Sequence, residues 1–434
     1  MSVKVLNAVT KLYERSFMRV LRRTVVMLFP FALIGAFASV IANSVFAPFG
    51  FANSIFSIYQ WLPFATKIRT ICQSVSQLTL GIASLLAAYQ AARYTTKGYH
   101  KDSQMAGLTS FVGYLLICYR PTGQRGISFN WTLLGMQGLL LGLLFGYFVG
   151  QIFRRVGGSD TTIAGKTRDI FDRAFIALPA ILVVSVIGIL GEYLVVLLNR
   201  YSVISEIVTR VVNFGSQQHE VVSTILVGML TTLMGWLGMS GPYATFSFSD
   251  DPSAIANLNR ALTKHSLWQI PYKYTGTTLF HSFGSFGGLG STLALLIAIL
   301  IVAKHQHVLR VARWSLLPVL FNNNALMLLG IPLLLNPLYL VPFMLTPVFN
   351  MVIAAFAIYL RLMPPVAYPV PLGTPGVLVA FIGTGGHFSA LIVGLVCLLI
   401  DVLIYLPFVQ LSEDVVATIE RKEDVENEIS QVEN

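Results

Sequence analysis

Charged side chains are scarce in this chain. Asp, Glu, Lys and Arg make up only 11% of 434 residues, against roughly 25% in soluble domains, and that deficit excludes an ordinary water-soluble enzyme. Cysteine is nearly absent, and Cys72, Cys118 and Cys397 lie in separate apolar stretches. They form no CxxC pair, disulfide framework or ligand spacing, so packing is their expected role and no metal or other cofactor is expected. The alternation of apolar and polar residues that marks a transmembrane β-strand is also missing. No cleavable signal peptide is expected at the N-terminus, because its first apolar run follows a long basic segment without a small-residue cleavage pattern, and the run is expected to be retained.

What fills the chain instead is apolar. Hydrophobic residues reach 55% and the mean hydropathy is +0.72, in runs of 18 or more that match the length of a membrane-spanning helix. The expected fold is an all-α polytopic membrane protein with about ten transmembrane helices and re-entrant hairpins in its C-terminal half. Residues 1–23 carry Lys4, Lys11, Arg15, Arg19, Arg22 and Arg23 against Glu14 alone, on an amphipathic pattern. By the positive-inside rule this end lies on the cytoplasmic membrane surface, and an even number of crossings returns the C-terminus to the same side. The net charge of +10 is explained by such topogenic flanks, so the lipid bilayer is the expected partner and nucleic acid is not.

Five segments follow: the basic segment 1–23, an N-terminal transmembrane scaffold and dimerisation domain 24–199, an interfacial amphipathic linker 200–220, a C-terminal transmembrane domain 221–410 and an acidic tail 411–434. Spans are expected near Thr24–Ala47, Ile71–Tyr94, Gln104–Tyr119, Trp131–Phe153, Phe175–Leu198 and Val221–Leu237. The C-terminal domain is then repeatedly interrupted, at Gly238–Pro242, Gly287–Thr292, Asn322–Asn324, Gly330–Pro332, Asn336–Pro337 and from Pro364 to His387. Internal proline removes a helical hydrogen bond and clashes with the preceding turn, so short half-helices are implied. Broken backbone at membrane depth is tolerated only where it is buried in protein or lines a cavity, and binding chemistry is expected there.

Several of these stretches carry a resemblance. Gly287-Gly288-Leu289-Gly290-Ser291-Thr292-Leu293, Phe321-Asn322-Asn323-Asn324, Leu329 through Pro337, and Tyr405-Leu406-Pro407-Phe408 resemble, in order and spacing, the membrane-embedded IIC component of the sugar phosphotransferase system, lactose/cellobiose/chitobiose type. Gly135–Gly138 and Phe175–Pro179 agree more weakly. The resemblance implies a homodimer in the bacterial cytoplasmic (inner) membrane. Each protomer encloses a saccharide, a disaccharide by expectation, between re-entrant hairpins and shifts it across the bilayer. A soluble IIB partner carrying phosphocysteine then phosphorylates the sugar.

This sequence departs from that pattern twice. Where the family has Asn-Glu-Pro, the aligned residues are Asn324, Ala325 and Leu326, and where it has Gly-Ile-His-Gly the stretch is Gly238-Met239-Ser240-Gly241. A sugar hydroxyl is a weak nucleophile until a base accepts its proton, a role contributing about 10²- to 10⁴-fold, and neither Ala325 nor Ser240 supplies it. No catalytic residue is therefore assigned.

Binding groups remain. Carbohydrates need amides that donate and accept beside an apolar face for their C–H surface. The candidate set is Asn324, Asn336, Ser240, Gly288, Gly290, His387 and Trp236. Four of these have a structural alternative: Asn324 and Asn336 as caps or turns, Trp236 as an interface anchor, His387 as a polar residue at a helix entrance. Gln73, Gln77, Gln90 and Gln137 read better as interhelical hydrogen bonders than as ligand contacts. Asp401 and Glu192, ionisable residues in apolar surroundings, are either functional or paired in the packing.

Leu411, Val415, Thr418, Lys422, Val425, Ile429 and Val432 form a heptad-like seam in the tail, read either as a solvated helix or as a dimeric stalk. Two functions follow: a IIC-type saccharide transporter with an altered pocket, or a non-transporting sensor of a saccharide or other ligand that signals through a cytoplasmic domain attached after the tail, for example a cyclic-di-GMP phosphodiesterase.

Overall fold

The computed structural model describes residues 10–121, 126–158, 170–200, 220–244 and 251–432. The expected linker at 200–220 falls almost entirely outside them.

Nine apolar helices are long enough to matter for a membrane among the described residues. Six segments are long and apolar enough to cross a membrane, and Ser103–Cys118, Val221–Trp236 and Thr292–Val302 are shorter. The chain begins with α1 (Ser16–Val40), continued by a π-helical turn at Ile41–Val45. Next come α2 (Ala65–Thr79), α3 (Ala83–Lys97), α4 (Ser103–Cys118), α5 (Leu139–Val156) and α6 (Ile170–Arg200). The one departure from an all-helical chain is a short antiparallel hairpin, β1 (Tyr119–Pro121) with β2 (Ile127–Phe129), at the break expected after the third span.

Small residues let α3 and α5 approach closely, which is the main source of tight packing where lipid removes the hydrophobic drive between helices. A Cβ at Gly142 would stand 2.3 Å from the Ser84 carbonyl oxygen, and one at Gly146 would stand 2.2 Å from that of Ala88. Ser84 Oγ and the Tyr114 hydroxyl lie 2.7 Å apart, and Ser84 donates to the Gly138 carbonyl at 2.7 Å, tying α3, α4 and the start of α5 together. At the end of this bundle, Asp102 caps α4 and accepts an ion pair from Arg173 at 2.9 Å.

The second half comprises α7 (Glu220–Trp236), α8 (Pro252–Lys264), a π-helix at Thr277–Gly284, α9 (Thr292–Val302), α10 (Gln306–Leu320) and α11 (Ala325–Gly330). It ends with α12 (Pro337–Tyr359), α13 (Gly376–Gly383) and α14 (Phe388–Val432). With 6 and 8 residues, α11 and α13 reach at most about 12 Å at 1.5 Å per residue, far short of a bilayer. They are the half-helices expected from the proline and asparagine pattern. Leu21, Val25, Leu28 and Ala32 of α1 belong to the same buried cluster as α9, α11 and α12, so the first helix packs into the C-terminal core. Acidic Glu413 fastens the junction before α10, accepting from the backbone N–H of Lys304 at 2.8 Å and standing 2.7 Å from His305 Nδ1. The tail continues α14 without a break, as one helix of 45 residues.

Candidate functional site

The broken segments meet around a cavity of about 740 Å³, within the range of small-molecule sites. Its wall is assembled from six chain regions. The π-helical end of α1 brings Ser39 and Asn43, the turn before α5 brings Met136 and Gln137, and the loop after α7 brings Met239, Ser240 and Tyr243. The π-helix and its following turn bring His281, Ser285, Gly288 and Leu289, and the last two segments bring Asn322–Ala325 and Val370–Thr374.

Three asparagines hold this assembly. Asn322, in the left-handed region at φ 61°, accepts from the Gly287 N–H at 2.9 Å and donates to the Thr374 carbonyl at 3.1 Å, joining three segments through one amide. Asn323 accepts from the Ala325 N–H at 3.2 Å, starting α11, and Asn324 Nδ2 donates to the Leu289 carbonyl at 3.3 Å. Gly373 is stitched to α1 by Ser44 Oγ, which donates to its carbonyl at 3.1 Å. Met239 pairs with Gly138 in an isolated bridge, bringing the Ser240 loop beside Gln137.

Behind the turn Gly287–Thr292 lies a buried polar knot. Asp401, fully buried, accepts from Ser291 Oγ and, at 2.7 Å, from Asn350 Nδ2. The Tyr405 hydroxyl donates to the Gly290 carbonyl at 2.5 Å. A carboxyl at membrane depth is retained because the groups around it need it, and here it secures the turn that presents Gly288 and Leu289 to the cavity.

Among the described lining residues there is no Asp, Glu, Lys or Arg. Amides and hydroxyls from Ser39, Asn43, Gln137, Ser240, Ser285 and Asn324 supply donors and acceptors. One wall is aromatic: the Tyr243 and Phe280 rings lie 5.2 Å apart and His281 lies 5.9 Å from Tyr243. Burial pushes the Tyr243 hydroxyl up to about 12, so it remains a donor at neutral pH.

Of the residues singled out from sequence, Asn324, Ser240 and Gly288 line this cavity, and Gln137 joins them. The structure places the other four elsewhere. Asn336 caps α12, accepting from the Leu338 N–H at 3.1 Å, and receives the Tyr13 hydroxyl at 2.5 Å. Trp236 Nε1 donates to the Asn336 carbonyl at 3.2 Å, directing its ring into that junction. A Cβ at Gly290 would meet Phe343 at 2.2 Å, so this glycine serves packing. His387 lines a separate pocket of about 590 Å³ with Trp268 and Tyr368. His281, Ser39, Asn43 and Tyr243 also line the cavity, and no sequence motif points to them. Their signal was weak because a lone histidine in an apolar stretch carries no spacing, and the π-turn that aims Asn43 is not encoded by a motif.

The phosphotransferase system EIIC family profile matches residues 22–347, three quarters of the chain. The chain belongs to the phosphotransferase system EIIC family. This EIIC chain is 23% identical to the oligo-beta-mannoside-specific EIIC component of Bacillus subtilis (strain 168) over 97% of its length and 95% of that protein's. It is 25% identical to the cellobiose-specific EIIC component of Lactococcus lactis subsp. lactis (strain IL1403), over 80% of this chain and 81% of the relative. A solved structure of the transporter ChbC, the IIC component of the N,N'-diacetylchitobiose-specific phosphotransferase system, aligns over 96% of this chain and 98% of that one at 21% identity and a TM-score of 0.43.

Proposed function

We propose that this EIIC protein holds a neutral disaccharide in the cavity between its half-helices and moves it between the two faces of the membrane. The observation that carries the reading is the absence of formal charge among the described lining residues together with the density of amides and hydroxyls and one aromatic wall. An anion would leave buried charge uncompensated there, and a purely apolar ligand would strand the amides. A disaccharide satisfies both the hydroxyl partners and the aromatic face. Relatives named for oligo-beta-mannoside and cellobiose support the same class. Thermal unfolding with and without each of cellobiose, lactose, mannobiose and N,N'-diacetylchitobiose tests it. A ligand at about 100 times its Kd stabilises by about 2.7 kcal/mol, and no response to any of the four contradicts the reading.

A second reading is favoured by one observation. The helix that carries Asp401 behind the cavity runs without interruption from Phe388 to Val432, a continuous rod by which occupancy would reach an attached signalling domain. Proteoliposome uptake separates the two: saccharide accumulation supports transport, whereas binding without accumulation supports sensing.

A further inference from the structure

A second cavity, of about 1060 Å³, opens at the end of the molecule where α1 begins, α3 ends and α10 begins. It is separate from the saccharide cavity and opposite in character. Arg19, Arg22 and Arg23 from α1 and Lys97 from the last turn of α3 line it, and no carboxylate does among the described residues. None of these four cations has an ion pair with a described carboxylate. Arg22 is held in place by its position over the Tyr13 ring, 5.1 Å from its centre, while the Tyr13 hydroxyl is fixed on Asn336.

A second, independent feature points the same way. The N-terminus of the 15-residue helix α10 faces this cavity through Gln306, His307 and Val308, and no side chain caps it. Open first-turn N–H groups and the positive end of the helix dipole attract anions. Glu413 does not serve that role, because its carboxylate is engaged one step earlier by the N–H groups of Lys304 and His305. The rest of the wall mixes apolar residues such as Met27, Ile331 and Val416 with uncharged polar ones such as Tyr94, Tyr339 and Ser412.

We infer that this cavity binds a phosphate group borne by an amphipathic or soluble molecule, the guanidinium forks of α1, Lys97 and the first turn of α10 sharing its oxygens. Guanidinium matches phosphate geometry bidentately, and four like charges brought together gain most from a compact anion. Basic pockets between helices at a membrane face are suited to anionic headgroups, and soluble phosphate has the same chemistry.

The test uses the purified full chain. Native mass spectrometry after exchange into mixed micelles of phosphatidylglycerol and phosphatidylcholine reads lipid retention, and thermal unfolding in sodium phosphate against sodium chloride at equal ionic strength reads soluble phosphate. Phosphatidylglycerol retained about tenfold over phosphatidylcholine, with no protection by phosphate, assigns a lipid headgroup. Protection by phosphate without lipid preference assigns a soluble ligand. In either case Arg22→Gln and Lys97→Gln reduce the effect about tenfold. Lys97 is exposed at a helix end, so its variant folds and keeps the test decisive. If neither probe is preferred, or if the preference is unchanged in Lys97→Gln, the inference is overturned.

Discussion

Gly288 and Asn324 lie against each other in the cavity wall: a Cβ on Gly288 would stand 2.7 Å from Asn324 Cγ. Gly288 also sits at φ 110°, which side chains rarely adopt. The two residues come from different turns, one before α9 and one before α11, so this contact joins two parts of the wall. Gly288→Ala therefore has to push Asn324 aside as well as carry backbone strain of about 1–3 kcal/mol. The expected result is a protein with lowered melting temperature and no disaccharide-induced stabilisation, measured by thermal unfolding. A variant that responds like the wild type would remove this turn from the site.

Asn324 is both a wall residue and a strut, since its amide donates to the Leu289 carbonyl. Asn324→Ala is expected to cost about 1 kcal/mol of stability for the lost hydrogen bond and to abolish the disaccharide shift. The control is Asn257→Ala, outside the cavity, whose amide holds the Tyr272 backbone; it should lose stability and keep a measurable shift. Equal loss of binding in both would mean that the effect is structural.

The knot at Asp401 separates shape from hydrogen bonding. Asp401→Leu deprives Ser291 and Asn350 of a buried acceptor and should destabilise by about 2–4 kcal/mol, the range for stranded buried polar groups. Asp401→Asn keeps an acceptor of the same size and should cost less than half as much. Unfolding midpoints of the two variants check the order, and equal effects would show that the carboxyl is not what holds the turn.

Phosphotransfer is the step for which the cavity is least equipped. Ala325, at the start of α11, offers no proton acceptor, and no described lining residue is a carboxylate. With a phosphorylated IIB protein and radiolabelled disaccharide, no sugar phosphate above the protein-free rate is expected, because a missing base costs about 10²- to 10⁴-fold. Sugar phosphate formed by the wild type and lost in His281→Gln would contradict this and assign the role of base to the imidazole in the aromatic wall.

Much of this architecture was legible in the chain. Proline, glycine and asparagine clusters in apolar surroundings marked every half-helix from Gly287 to His387, because breakers in lipid must be compensated by protein. Asn336 followed by Pro337 carried a readable cap signature, and the cap is what the structure shows. What could not be read was convergence. Asn43 and His281 enter the cavity through π-helical turns at Ile41–Val45 and Thr277–Gly284, which shift the facing of a side chain with no local residue signal. Gly290 and Gly288 look alike in sequence, and only the three-dimensional neighbours, Phe343 in one case and Asn324 in the other, separate packing from cavity wall.

The most direct measurement is equilibrium titration calorimetry of the purified protein with neutral disaccharides and with charged sugar acids. The account predicts one neutral disaccharide bound per chain, lost in Gly288→Ala, and no binding of the acids. Binding of a charged sugar acid in preference to every neutral disaccharide, or binding that survives Gly288→Ala unchanged, would contradict it.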